Sequence, residues 1–218
     1  MNNPPSNLAE LEACLQDLSH DEKAAELIRS FAKSMEKSKR LSTFNQEGAL
    51  IRRPILHNQV LEQQLIGAEE DYFSLLQGDI VQTDLGYFLG ERIVDAKFAI
   101  ATSTCDLVSG RRAYAVLLRV QPIKQDDKNV QSVIGQLLKF DSTRRMYLPP
   151  LPGDPQEVVA NAILFDGLIQ IRLDDLLLAS RYASLSLVGW RIFGSLIRNT
   201  IVRTSESEVR MRMSLSKA

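Results

Sequence analysis

Histidine is nearly absent from this 218-residue chain: His20 and His57 are the only two, and both fall in its first third. A Ser-His or Cys-His pairing further along would need that leader to fold over it, and a histidine metal site has too few ligands. Cysteine is as scarce. Cys14 and Cys105 stand far apart, which excludes a disulfide framework and a thiolate metal cluster. No run of about 18 apolar residues occurs, so no segment is expected to span a bilayer. The opening MNNPPSN has no basic region followed by an apolar core, and a reducing cytoplasm is the expected compartment. Internal repeats and low-complexity tracts are absent too. A net charge of −1 gives no overall pull toward nucleic acid or an anionic membrane.

What is present is an ordinary globular balance, 44% hydrophobic and 24% charged, in a length that suits one domain with a large appendage or two small ones. The charge is unevenly spread. Residues 181–218 carry +5 and the rest −6, because Arg181, Arg191, Arg198, Arg203, Arg210, Arg212 and Lys217 oppose only Glu206 and Glu208. That end offers a basic face to an acidic partner or to the chain's own acidic surface.

The first 77 residues read as helical. Asn7 with Glu10 resembles a capping box before Leu8, Leu11, Leu15 and Leu18, and Ser19 with Glu22 repeats the signal before Ala24, Ile28, Phe31 and Met35. The charged run KSMEKSKR is expected to be a helix end plus linker, and STFNQEG a connector. At Gly78-Asp79 the pattern becomes short β-like runs: 80–85, 93–102, 114–123, 145–148, 158–165 and 168–173, with a helix inserted near 129–138. Asp166-Gly167 separates two alternating runs and predicts a tight type I′ hairpin. A last helix is expected over 187–203. The expected class is α+β. It comprises a helical region over 1–77, a small, mostly antiparallel β-barrel over 78–177, and a C-terminal helix with a basic tail over 178–218. Residues 78–177 should resist protease, and residues 1–50 should detach after cleavage in the 38–48 stretch.

The order GDIVQTDL, KFAIATS, YAVLLRVQPI and AILFDGLIQIRLDDL resembles the MazF and PemK kind of plasmid-maintenance toxins over residues 78–177. The resemblance implies an SH3-like barrel and a bacterial toxin or phage-defence setting. Those toxins are sequence-selective ribonucleases that use an Arg from the loop after the first strand and a Thr after the Val-Pro strand. Arg92 is the counterpart of the Arg, whereas Lys124 stands where the Thr is expected. The helical leader is an addition to the family pattern.

The densest polar cluster is Thr102-Ser103-Thr104-Cys105-Asp106, at the end of an apolar run. It has two readings. In one, the short side chains bond to backbone and stop a strand, with Asp106 in an Asx-turn. In the other, Ser103 and Thr104 line a groove with Arg92 as candidate catalytic residues, and Arg111 and Arg112 hold phosphates. Asp106 beside Cys105 disfavours a thiolate. Asp84 with Asp95-Ala96-Lys97 superficially matches the carboxylate and lysine layout of metal-dependent nucleases, and is the minority reading. On the last helix Arg191, Ser195 and Arg198 share one face, with Trp190, Phe193, Ile197 and Ile201 across from it. Arg191 and Arg198 are therefore candidate nucleic-acid contacts too. Two functions stay open: a toxin-like nucleic-acid-interacting protein, with RNA cleavage left open, or a non-catalytic interaction module whose helical leader and Arg-rich tail each meet a partner. A homodimer is compatible with both, and no metal or cofactor is expected.

Overall fold

A computed structural model describes residues 5–67, 73–88, 91–108, 110–201 and 210–213. Ser109, Arg203, Glu206, Glu208 and Lys217 lie outside the described residues, as does the side chain of Ile201.

The leader is helical. Helix α1 (Leu8–Leu15) opens at Asn7, whose side chain accepts from Glu10 N at 3.0 Å while its amide donates back to Glu10 Oε1 at 3.1 Å. Helix α2 (Glu22–Ser34) is capped by Asp21, not Ser19: Asp21 Oδ1 accepts from Ala24 N at 3.1 Å, and the Ser19 hydroxyl donates to Asp21 Oδ2. Ser19 is thus a second-row support of the cap. The charged run leads straight into helix α3 (Lys37–Phe44), and the stretch expected as a connector buries Phe44 completely. Strand β1 (Ile51–Arg52) and helix α4 (His57–Glu62) complete the leader.

The β unit follows. Its elements are β2 (Ile80–Gln82), β3 (Gly86–Phe88), β4 (Glu91–Ile93), β5 (Lys97–Ile100), a 3-10 turn at Thr104–Asp106, and β6 (Tyr114–Lys124). Then come α5 (Val130–Leu137), β7 (Arg145–Leu148), β8 (Val158–Arg172), α6 (Leu173–Leu176), β9 (Ser180–Leu185) and α7 (Leu187–Ile201). Seven strands form one sheet in the order β1-β9-β2-β5-β6-β8-β7, antiparallel at every pairing, and β3 and β4 form a separate hairpin. The class is α+β with a curled antiparallel sheet. Strand β9 lies beyond residue 177, yet it fills the place between β1 and β2.

The Asp166-Gly167 hairpin is not there. Strand β8 runs unbroken through both residues and keeps the same partner, β6, throughout. Between the pairs Leu118 with Leu168 and Val120 with Ile163, β6 has one residue and β8 has four. The Asp-Gly signal therefore marks a large bulge. Gly167 does not adopt positive φ. It is needed small instead: a Cβ there would sit 3.1 Å from Arg119 Cβ and 3.3 Å from Leu164 Cβ.

The bulge has a topological effect. In a regular strand, residues 163, 165, 169 and 171 would share one face. Ile163 and Phe165 join the core on the helix side, while Ile169 and Ile171 join a second core with Val81, Phe98, Ile100 and Leu117. So β8 bends and changes face at the bulge, which curls the sheet around that second core. The helix side is covered by α1, α2 and α7. Helix α7 is buried on two sides, through Val188, Ile192, Phe193 and Leu196, rather than along the expected stripe alone. Among the described residues, no helix is long and apolar enough to cross a membrane.

Candidate functional site

The 102–106 cluster is a hydrogen-bonded strand end. Thr102 Oγ1 accepts from Val116 N at 2.7 Å, taking over from the ladder where β5 stops. Thr104 Oγ1 accepts from Gln77 N at 3.0 Å, and Ser103 Oγ lies 3.2 Å from Cys105 Sγ. Asp106 N donates to Ser103 O at 3.0 Å, closing the 3-10 turn. The two arginines fold back over it: Arg111 Nη1 donates to Cys105 O at 2.9 Å, and Arg112 Nε pairs with Asp106 Oδ2 at 3.0 Å. Neither imidazole serves these hydroxyls. His20 packs edge-on against Trp190, and His57 packs against Phe73 and accepts its backbone N–H. Among the described residues no histidine is placed to act as general base for Ser103 or Thr104.

Two cavities open on either side of this turn. The larger, about 550 Å³, has an apolar floor of Val116, Leu118, Phe165 and Ile197 and a rim that includes Ser103, Asp106, Arg112 and Gln170. The smaller, about 420 Å³, is lined by Arg111, Arg112, Arg172 and Asp174. Both share Arg112, Ala113 and Tyr114. Tyr114 is 58% exposed at the start of β6 and stands directly opposite Arg172 on β8. Arg112 is paired with Asp106, whereas Arg172 and Asp174 are 3.7 Å apart and both exposed. Such a pair is worth little in water. A half-exposed aromatic flanked by three guanidinium groups combines a stacking surface with phosphate donors.

The remaining sequence candidates sit elsewhere. Arg92 is in the β3–β4 hairpin opposite Tyr87, donates to Asp84 O at 2.7 Å, and lines neither cavity. The structure does not bring it to Ser103 and Thr104. Arg191 and Arg198 line neither of these two cavities. Arg191 donates to Leu15 O at 3.2 Å and Gln16 O at 3.1 Å, and Arg198 to His20 O at 3.3 Å. Arg191 braces the end of α1, where a cation also suits the helix dipole, and Arg198 the corner that follows it. Arg203 lies outside the described residues, and Arg210 and Arg212 are exposed. Asp84 Oδ1 accepts from Asp95 N, while Lys97 turns to Asp154, 2.5 Å away, under the ring of Tyr182. Asp154 in turn accepts from Leu151 N and Asn161 Nδ2, both at 2.7 Å, so this half-buried pair fixes the 149–155 loop. Among the described residues no group of three His, Cys, Asp or Glu side chains gathers to hold a metal.

One group escaped the sequence reading. Asp79 is fully buried and lies 2.7 Å from Arg181 Nε, with Ser184 Oγ donating to it at 2.6 Å and Leu76 N at 2.8 Å. Arg181 also donates to Ile55 O and Ser74 O, tying two loops to β9. Burial pushes the Asp79 carboxyl above its ordinary value, against the pull of Arg181. Tyr114, Arg172 and Asp79 carry no short motif, and pairing across strands is what gives them a place.

The chain was compared with family models, curated proteins and solved structures, and none matches it.

Proposed function

We propose that the protein binds single-stranded RNA across Tyr114 without cutting it. The observation that carries this reading is the exposed Tyr114 between an apolar cavity and one lined by Arg111, Arg112 and Arg172. An unpaired base stacks on the phenol ring, and its flanking phosphates meet the guanidinium groups. Binding rather than cleavage is supported because the Thr104 hydroxyl is bonded into the turn, the Ser103 hydroxyl rests against the Cys105 thiol, and Arg92 is held in its hairpin.

The test is a titration of a fluorescent oligoribonucleotide at rising salt. Affinity should fall steeply, since each neutralised phosphate releases counterions. Replacing Arg111 and Arg112 together with Ala should flatten the salt slope by about two contacts. Tyr114→Ala should cost about 1–3 kcal/mol and leave the slope unchanged, because stacking carries no charge. Ser103→Ala should change nothing. The absence of binding at low salt by folded protein would sink the reading.

The apolar floor of the larger cavity favours a second reading, a protein partner that inserts an apolar side chain. Binding of that kind would survive high salt and ignore the paired arginine substitution.

A further inference from the structure

His20 occupies the corner between α1 and α2, and its ring is seated in a slot on α7. Its centroid is 4.1 Å from that of Trp190, edge to face. Beneath it lies Gly194, where a Cβ would collide with the imidazole, so only glycine leaves room for the ring. Both ring nitrogens are buried and make no well-formed hydrogen bond among the described residues, although the Arg191 backbone lies close enough to favour the charged form. A neutral imidazole tolerates such a seat at some cost; an imidazolium, a full charge with only the Arg191 backbone at hand for its two donors, tolerates it less.

The charged groups around the corner add to this. From α7, Arg191 and Arg198 donate to the carbonyls of Leu15, Gln16 and His20 itself. From α2, Asp21 is committed to Ala24 N and the Ser19 hydroxyl, and Glu22 to Arg29 and Asn199. A proton on His20 would thus add a third cation beside two arginines, offset only in part by Asp21, whose oxygens are bonded elsewhere.

We infer that this corner is a proton-sensitive latch, in which protonation of His20 lifts its ring from the Gly194 slot and loosens the α1–α2 turn from α7. The apolar contacts of Leu11, Leu15 and Ile28 hold the rest of the leader in place, so the change is local. Burial is the main cause that keeps the imidazole below its ordinary 6.5 in the closed corner; the Arg191 charge adds to it, while the Arg191 backbone and Asp21 act against it. The sign follows from that depression. The open corner takes up the proton first, so closure is fully favoured above 6.5 and weakens as pH falls from 6.5 toward the depressed value. Within that window each pH unit shifts the balance about tenfold. Asp21 and Glu22 are both held below their ordinary values, so their contributions are lost only in more acidic solution.

Trp190 is the sole tryptophan and touches the ring, so it reports on the latch directly. The experiment titrates full-length protein from neutral pH to about pH 5. It follows Trp190 emission, the His20 imidazole proton resonance, and amide exchange over residues 16–24. The three should change together, with a midpoint below 6.5. The transition should vanish in His20→Phe, and in His20→Gln should the first variant fold poorly, while His57→Phe retains it. A transition that persists without His20, or titration of His20 with no change in exchange at the corner, would overturn the inference.

Discussion

Asp79 and Arg181 show what a single pair does here. With Leu76 N and Ser184 Oγ also on the carboxylate, Asp79 has as many donors as it can use, and the pair joins strand β9 to the loops at Ile55 and Ser74. Removing only the cation leaves a buried charge uncompensated. Arg181→Met should therefore destabilise the protein by about 3–5 kcal/mol, as read from the urea midpoint. The pH response separates this from simple loss of packing. Burial already raises the Asp79 carboxyl, and without Arg181 it must rise further. A carboxyl raised on folding stabilises below its unfolded value, and that contribution is lost as pH rises through the folded value. The deficit of the variant should accordingly shrink as pH is lowered from 7 toward 4. A deficit of constant size would show that the ionised carboxylate is not its source. In sequence, Arg181 is one more basic residue near the C-terminal end, and nothing marks Asp79 beyond the Gly-Asp change of pattern.

At the scale of elements, what could be read from the sequence was whatever local chemistry decides. The Asn7 cap, the amphipathic leader helices, the inserted α5 and most strand positions follow from periodicity and from short polar side chains. Partner-decided features were not legible. Strand β9 is six residues whose pairing with β1 and β2 makes it a strand, and its sequence reads as a passage between helices. The Asp166-Gly167 pair shows the same limit, since an Asp-Gly signal reports an ease of bending and not what the bend is used for. Its use as a bulge is testable. Because Gly167 is crowded by Arg119 and Leu164 and is not at positive φ, Gly167→Ala should cost less than Gly167→Val. The larger substitution should cost about 1–3 kcal/mol by overpacking, measured as a shift in denaturation midpoint. An equal penalty for the two variants would point to backbone strain instead.

For the whole molecule, packing runs across the boundaries that composition suggests. Residues 42–48 read as a polar connector, yet Phe44 meets Phe31 of α2 and Phe140 beyond α5 in edge-on contacts at 6.1 and 5.0 Å. Asn45 Oδ1 accepts from the hydroxyl of Tyr147 on β7 at 2.5 Å, and burial pushes that hydroxyl up from its ordinary pKa. Leu50 O accepts from Ser186 N at 2.9 Å, and the Gly189 backbone packs against it so closely that a Cβ there would collide. One core thus contains Leu11, Ile28 and Phe31 of the leader with Leu118, Tyr147 and Ile163 of the sheet. A leader held this way cannot leave without exposing the helix-side face of the sheet, an apolar surface no small domain keeps in water. Two expectations follow, against the detachable leader that composition suggests. Far-UV circular dichroism, dominated by the whole chain, and Trp190 emission, local to the leader's seat on α7, should report one coincident urea transition. Limited proteolysis should spare the 38–48 stretch under native conditions, since cleavage there requires opening of the shared core. An early transition in Trp190 emission, accompanied by native cleavage in that stretch, would instead establish the leader as a separate unit resting on the sheet.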